Sequence, residues 1–251
     1  MSSCSASEMK LILDLDGTVL FAEKRPGAIA IEGRRRPAFL ASETVDALHG
    51  CEVIIATGRS SKSAIIIGKI MKLLGIKISG IVAENGGVII SSKQKLLTSP
   101  AWQEDIRPLK RDLPSNIKEF STCLALLKPQ PDEILQAKSV LGKKYYLLPD
   151  GSKTFFIEKG IGKLQALKQL LADDLQCCYG IGNDLNDLDW LQAVGVPSSP
   201  GGVLKEVSDL VRARNGIVSS QSGHDAIPEI IEIFKSRAPT LGTSQKQECC
   251  K

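Results

Sequence analysis

Two aspartates near the N-terminus, Asp14 and Asp16, directly follow the apolar residues 11–13 and precede Gly17. An apolar run that ends in polar residues is typical of a buried parallel strand, and open α/β sheets place their ligands at that carboxyl edge. Alternate strand residues point to opposite faces, but a turn at Gly17 allows both carboxylates to reach one site. Two carboxylates crowded there repel each other unless a cation joins them or one holds a proton. The pair therefore predicts metal-assisted chemistry.

A second polar segment, Thr57, Gly58 and Arg59, follows the apolar residues 53–56. The Thr57 hydroxyl can donate to a phosphate oxygen, and the Gly58 amide with others at the start of a following helix adds an anion site. Thr57 can also serve as a cap for a helix that begins near Ser60, and both roles can hold at once. The segment therefore predicts a phosphate-binding loop after a second strand.

Two further segments carry polar residues in places that need an explanation. Lys163 opens a predicted helix, where the macrodipole disfavours a cation unless an anion lies nearby. A surface lysine is the alternative, whereas a lysine that serves a bound phosphate and a nucleophilic carboxylate meets the condition. Residues 182–187 follow another predicted strand and are rich in Asn and Asp, which is hard to explain as a turn in a core.

In this order the four segments resemble the motifs of the haloacid dehalogenase superfamily of phosphohydrolases, in its Cof-type, class IIB branch. Residues 14–18 match its DxDGT, residues 159–167 match K-G-x-x-K-x-x-A-L, and residues 182–187 match most of G-D-x-x-N-D. The likeness extends over about residues 9–235. It implies that Asp14 attacks phosphorus, while Asp16 protonates the leaving oxygen and later activates water. It also implies that Thr57 binds the transferred phosphate and that Lys163 is the motif lysine.

The resemblance implies a Mg²⁺ cofactor and contains one departure. In the family the metal is held by the nucleophile, by the backbone carbonyl of the second aspartate and by an aspartate where this chain has Asn183. An amide oxygen can bind Mg²⁺ but removes one negative charge from the site. Asp184 restores that charge if the loop shifts by one residue, and Asp187 is a further candidate. The predicted metal residues are therefore Asp14, Asp16, Asn183, Asp184 and Asp187, and we expect weaker metal binding.

Short apolar runs alternate with helix-period segments along most of the chain. Strands are predicted at 11–13, 52–56, 80–83 and 177–181, and helices near 42–49, 60–74, 163–173, 185–193, 202–208 and 225–236. This alternation predicts an α/β fold with a doubly wound, Rossmann-like parallel sheet. Residues 91–158 break the pattern with an α+β order, so we expect a core at 9–90 and 159–238 and an inserted cap at 91–158. The insert resembles the compact C2 cap of the superfamily.

Composition limits the remaining choices. The chain has 251 residues, 43% hydrophobic and 24% charged, with a formal charge of +4, which is ordinary for a soluble globular protein. No long apolar run or aromatic–basic pattern supports a membrane or nucleic-acid partner. The seven cysteines without an export signal favour a cytoplasmic protein. Residues 1–8 and 239–251 read as flexible tails, and Arg34–Arg36 read as a solvated basic turn or as a rim that steers anions.

We therefore predict a phosphate monoester hydrolase, a monomer or weak homodimer that acts through an aspartyl-phosphate on a small phosphorylated metabolite. A sugar phosphate or phosphorylated sugar acid is the expected substrate, since the cap is similar to those of mannosyl-3-phosphoglycerate and sucrose-phosphate phosphatases. The alternatives are a phosphoglycolate phosphatase-like enzyme and a non-catalytic phosphosugar-binding protein with a decayed metal site. Candidate substrate or cap residues are Arg59, Asn85, Arg107 and Asn186.

Overall fold

The computed structural model describes residues 9–31, 38–113 and 116–241. The predicted tail at 1–8, the basic residues 34–36 and most of the predicted C-terminal tail lie outside these described residues. The last helix continues to Leu241, beyond residue 238, where the sequence pattern placed the end of the core. No helix within the described ranges is long and apolar enough to cross a membrane.

The described residues form fifteen strands and eight α-helices, numbered here in chain order. The strands are β1 Met9–Leu13, β2 Leu20–Phe21, β3 Ile29–Ile31, β4 Ala38–Leu40, β5 Cys51–Ala56, β6 Lys77–Ala83, β7 Val88–Ile90, β8 Gln94–Leu96, β9 Ile117–Glu119, β10 Leu124–Leu127, β11 Tyr145–Asp150, β12 Lys153–Glu158, β13 Tyr179–Ile181, β14 Val196–Gly201 and β15 Ile217–Ser222. The helices are α1 Ser42–Leu48, α2 Ser61–Leu73, α3 Trp102–Asp112, α4 Pro131–Leu141, α5 Lys163–Leu171, α6 Leu188–Ala193, α7 Lys205–Ala213 and α8 Ala226–Leu241.

The central sheet has eight strands in the order β15-β14-β13-β1-β5-β6-β7-β8. The six strands from β15 to β6 run parallel, and β7 and β8 extend the sheet antiparallel beyond β6. Helices cover both faces. On one face, α1, α2 and α8 pack with Leu11 and Leu13, and on the other α5, α6 and α7 pack with Ile12. Burial on both faces explains why the central strands are nearly continuous apolar runs. The prediction of a doubly wound α/β fold is confirmed.

Four strands of the sheet were not predicted: β7 and β8, which extend it beyond β6, and β14 and β15 at its other end. Strand β14 reads Val-Pro-Ser-Ser-Pro-Gly and β15 contains four polar residues in six, so neither has the apolar signature of a buried strand. They form because β14 pairs with β13 and β15 closes the sheet edge against α8. The strand predicted at 177–181 is also shorter, because Cys177 belongs to a 3-10 turn.

A separate four-stranded antiparallel sheet, in the order β11-β12-β10-β9, forms the inserted cap with α3 and α4. Its core contains Trp102, Ile106, Leu124 and Phe156. Strand β8 pairs with β7, so residues 94–96 belong to the central sheet rather than to the predicted 91–158 insert. A third sheet, β2-β4-β3, covers the region after the first motif. The cap contacts the core at the carboxyl end of β6, where the amide and the hydroxyl of Thr122 donate to Glu84.

Candidate active site

The four motif segments meet at the carboxyl edge of the central sheet because their strands are neighbours. The backbone amide of Asp14 donates to Ile181 O at 3.0 Å, and that of Thr57 donates to Val82 O at 2.8 Å. The first residues after β13, β1, β5 and β6 therefore lie side by side. This edge is where open parallel sheets bind ligands.

Asp14, Lys163 and Asp187 form a buried group at the centre of this edge. Lys163 Nζ lies 2.9 Å from Asp14 Oδ1 and 2.7 Å from Asp187 Oδ1, and the three side chains are at most 8% exposed. Lys163 is the first residue of α5, where the helix dipole alone would disfavour it. The two carboxylates compensate for that cost and for the burial of the ammonium group. Asn186 Oδ1 is a weaker third contact of Nζ, at 3.4 Å.

The charges of this group do not cancel, because two carboxylates share one lysine. Burial raises the pKa of Asp14 from its ordinary 3.8 to about 7; the Lys163 charge opposes that rise and the Asp187 charge adds to it. Burial opposes the charge on Lys163, but the attraction of Asp14 and Asp187 outweighs it and raises the pKa of that lysine. Above about pH 7 the group therefore carries one buried negative charge that a cation can neutralise.

Asp187 is saturated with hydrogen bonds. Its Oδ1 accepts from Lys163 Nζ and from Trp190 Nε1 at 2.9 Å, while its Oδ2 accepts from the amides of Asn183 and Asp184 at 3.1 and 3.2 Å. A carboxylate with four donors has no lone pair left for a metal. In this arrangement the Asp187 carboxylate fixes the loop 183–187 and orients Lys163, and a metal role for Asp187 stays a prediction.

The side chain of Asn183 differs from that of Asp187 in its hydrogen bonding. Its Oδ1 is buried and has no hydrogen-bond partner among the described residues, which is costly for an amide oxygen. A Cβ atom on Gly17 would lie only 2.4 Å from Asn183 Nδ2, so this amide packs directly on the turn after Asp14. An unpaired hard oxygen that packs on the turn after Asp14 fits a divalent cation.

Asp184 and Asp16 do not join Asp14 in a carboxylate cluster. Asp184 Oδ1 accepts from the amide of Leu185 at 2.6 Å and caps the short turn that follows. Within the described residues, no group of three or more His, Cys, Asp or Glu side chains could hold a metal. Among the predicted side chains, Asp14 and Asn183 have oxygens that fit Mg²⁺, whereas Asp184 Oδ1 already caps a turn. The metal role predicted for the backbone carbonyl of Asp16 stays a prediction.

Asp16 forms a bidentate ion pair with Arg59. Arg59 Nε lies 2.7 Å from Asp16 Oδ2 and Nη2 contacts Oδ1, with the carboxylate 58% exposed. Both oxygens accept, as in an ionised carboxylate. Arg59 therefore supplies an opposite charge beside Asp16, a contact that the sequence pattern did not predict.

Thr57 and Asn85 follow β5 and β6, which lie on the side of β1 opposite to β13. Thr57 is buried, and its Oγ1 accepts from the amide of Arg59 at 3.2 Å, which leaves its hydroxyl proton free for a ligand. Asn85 is buried, with both amide atoms lacking partners, and a Cβ on Gly58 would lie 2.8 Å from its Oδ1. The Asn85 amide therefore lies over the predicted phosphate loop with unused donors.

Arg107 is the predicted residue that the structure leaves apart from this group. It lies on α3 of the cap, is 71% exposed and pairs with Glu104 on the same helix. Sequence reasoning also missed two residues that organise the site. Trp190 is indistinguishable in sequence from an ordinary core residue, and Glu84 precedes the predicted candidate Asn85 but matches no motif position of its own.

A family model described as haloacid dehalogenase-like hydrolase matches residues 11–128 of the chain. That segment contains the first two motif segments, Asn85 and the first half of the cap. No curated protein matches the sequence significantly.

Three solved structures illustrate the structural likeness. A haloacid dehalogenase-like hydrolase from Bacteroides thetaiotaomicron is 16% identical, with a TM-score of 0.67 and 91% of this chain and 100% of that chain covered. A phosphatase of the same superfamily and organism is 15% identical, with a TM-score of 0.65 and coverages of 95% and 98%. A subclass IIB sugar phosphatase is 14% identical, with a TM-score of 0.62 and coverages of 92% and 99%. At these identities the likeness establishes a shared fold that includes the cap.

Proposed function

We propose that the chain is a haloacid dehalogenase-like hydrolase, the family whose model matches residues 11–128, and that it is a Mg²⁺-dependent phosphatase acting through an aspartyl-phosphate on Asp14. The observation that carries the proposal is the state of the Asp14 carboxylate. One oxygen is held by Lys163 at 2.9 Å, and no described residue donates to the other. A buried carboxylate with one oxygen fixed and one available is oriented for nucleophilic attack.

Asp14 and the Asn183 amide oxygen would hold the metal, because each has an acceptor oxygen that no described residue uses and Asn183 packs on the turn that follows Asp14. A bound Mg²⁺ supplies charge neutralisation between the nucleophile and a phosphate dianion, which otherwise repel each other. The neutral Asn183 makes this site weaker than one built from two carboxylates.

In the first step Asp14 attacks phosphorus and the bond from phosphorus to the leaving oxygen breaks. The transferred group carries its charge on three equatorial oxygens, which need donors already in position. The Thr57 hydroxyl and the Asn85 amide donate to no described residue, and Lys163 Nζ can turn its weakest donor, the one 3.4 Å from Asn186 Oδ1, toward a phosphate oxygen. Their fixed positions lower the reorganisation that charge development would otherwise require.

In this proposal Asp16 transfers the protons once a phosphate has drawn Arg59 away from it. An incoming phosphate competes with Asp16 for Arg59, and a released Asp16 carboxyl group can then carry the proton that the leaving alkoxide takes. In the second step the Asp16 carboxylate accepts a proton from the attacking water. Water oxygen bonds to phosphorus, the phosphorus–Asp14 bond breaks, and inorganic phosphate and free Asp14 are regenerated.

The proposed substrate is a phosphorylated sugar or sugar acid. The neighbour described as a subclass IIB sugar phosphatase shares the fold and the cap, which supports this class. A cap of this kind closes over small substrates and excludes bulk water. Asn183 favours a second candidate, a phosphosugar-binding protein without turnover, because it lowers the charge available for a metal.

Phosphate release from a panel of sugar phosphates, phosphorylated sugar acids and phosphoglycolate, with Mg²⁺ or EDTA, tests the proposal. We expect turnover that requires both Mg²⁺ and Asp14, with Asp14→Asn inactive. The matched control is Asp189→Asn, since Asp189 is an exposed aspartate on α6. Binding of a panel member without release, by wild type at high Mg²⁺, would instead support the binding protein. Turnover by Asp14→Asn would contradict the assigned nucleophile.

A further inference from the structure

Glu84 is a buried carboxylate that joins the core to the cap. It is 1% exposed and follows β6 directly. Its Oε1 accepts from the amide of Ser61 at 3.0 Å, at the start of α2 in the core. Its Oε2 accepts from the amide and the hydroxyl of Thr122 in the cap, both at 2.9 Å. A single side chain therefore ties the two domains together.

All the partners of Glu84 are donors, which fits an ionised carboxylate. Ser61 is the first residue of the thirteen-residue helix α2, so the positive end of that helix dipole also faces the anion. Two charge-assisted bonds come from the cap loop between β9 and β10. A neutral amide in place of the carboxylate would have only one acceptor atom and would direct an NH₂ group at another donor.

The backbone of the same segment closes the phosphate loop. The amide of Glu84 donates to Arg59 O at 2.9 Å, and that of Asn85 donates to Thr57 O at 3.2 Å. Both residues have positive φ, 54° each, a conformation that non-glycine residues adopt only at a cost. In that conformation the backbone amides bond to residues 57 and 59 while the Glu84 side chain bonds to the cap.

The cap loop also fits closely against this segment. A Cβ on Gly87 would lie 1.9 Å from Thr122 Oγ1, and one on Gly86 would lie 2.1 Å from the carbonyl of Gly162, just before Lys163. Ser121 Oγ lies 3.5 Å from Ser61 Oγ, next to the Glu84 bond. The cap loop, the phosphate loop and the start of the Lys163 helix therefore converge on residues 84–87.

We propose that Glu84 is a positioning residue that latches the cap against the phosphate-binding loop and so keeps the closed, substrate-competent arrangement populated. The part of this inference that concerns substrate rests on the proposed phosphatase function; the latch itself does not. When a binding-competent state is less populated, the apparent affinity for a ligand falls by the same factor. Loss of the latch should therefore raise KM more than it lowers kcat.

The test compares wild type with Glu84→Gln by hydrogen exchange and by steady-state kinetics on the full chain. Bonds to a buried charge are worth enough that their loss should speed exchange of the Ser61 and Thr122 amides about tenfold or more. Other core strands should exchange as in wild type. KM for the preferred substrate should rise about tenfold, with kcat changed less than about threefold. Glu104→Gln, an exposed cap carboxylate, is the matched control.

A second variant keeps the inference testable if Glu84→Gln does not fold. Thr122→Val removes only the hydroxyl donor, one of the three donors to Glu84, and retains the size of the side chain. We therefore expect faster exchange and a higher KM, each with about a third of the free-energy effect of Glu84→Gln. Unchanged exchange at Ser61 and Thr122, or a collapse of kcat at constant KM, would overturn the latch. If wild type has no phosphatase activity, the proposed function fails, whereas hydrogen exchange still decides whether Glu84 holds the cap.

Discussion

Replacing the proposed nucleophile should stabilise the protein at neutral and alkaline pH. Asp14 is buried beside a second carboxylate, and its pKa in the folded protein is about 7 against an ordinary value of 3.8. Asp14→Asn removes the ionisable group and keeps nearly the same shape. The lysine retains Asp187 at 2.7 Å, so the variant does not leave an unpaired buried cation. We therefore expect Asp14→Asn to lose activity and gain stability.

The sign and size follow from proton linkage. A group whose folded pKa is raised contributes fully below its unfolded pKa, and its contribution is lost as pH rises to the folded pKa. Here that window runs from about 3.8 to about 7. A shift of about three pKa units corresponds to an upper limit of about 4 kcal/mol, of which about 3 kcal/mol is lost between about pH 5 and about pH 8.

Urea unfolding in EDTA at about pH 5 and about pH 8 measures this effect. The free energy of unfolding of Asp14→Asn, relative to wild type, should rise by up to about 3 kcal/mol between the two pH values, while Asp189→Asn should follow wild type. Saturating Mg²⁺ should stabilise wild type and not the variant, because ligands stabilise only the state that binds them. Parallel pH profiles for wild type and Asp14→Asn would refute the assignment of a buried, raised-pKa carboxylate.

Three other predictions concern the residues around Asp14. Asn183→Asp should increase Mg²⁺ affinity in calorimetry by about tenfold, because it restores one charge to the site, whereas Asp184→Asn should leave it unchanged; an equal response of both would contradict the Asn183 site. Gly17→Ala should weaken Mg²⁺ binding, because the new methyl group would displace the Asn183 amide, and it should lower the free energy of unfolding in urea by about 1–3 kcal/mol, because Gly17 has a positive φ. Unchanged Mg²⁺ binding would show that the Asn183 amide is not a ligand. Trp190→Phe should cost about 1–3 kcal/mol in urea, since it leaves Asp187 short of one donor, and a neutral result would mean that the Nε1 bond contributes nothing.

The fold was predictable wherever local pattern and burial agree. The apolar runs at β1, β5 and β6 read as buried strands because both faces of a parallel sheet are covered. Strand β14, with two prolines and two serines, exists through its pairing with β13 and its place in the sheet, neither of which a local pattern contains. The antiparallel extension through β8 was missed for the same reason, since Gln94–Leu96 is exposed.

Some contacts of the candidate site were also predictable from the sequence, and others were not. Asp14 and Lys163 were paired in advance because a lysine at a helix start demands an anion. The Asp16–Arg59 ion pair was not, because it joins residues from two strand ends whose side-chain directions depend on turns at Gly17 and Gly58. Glu84 gave no signal, since a glutamate after a strand is ordinary until its three donors are seen.

The polar residues at this sheet edge differ in how many of their hydrogen-bonding groups have partners. Those with full sets of partners hold the site together, and those without are available to a ligand. Asp187 has four donors and Glu84 has three, so their charges are already compensated and they serve geometry. Asp14 has one donor, while the Asn183 oxygen and the Asn85 amide have none. Buried polar groups without partners are costly, and natural proteins keep few of them. Their concentration at one sheet edge is best explained by a ligand that supplies both a cation and acceptor oxygens, as a metal-bound phosphate ester does.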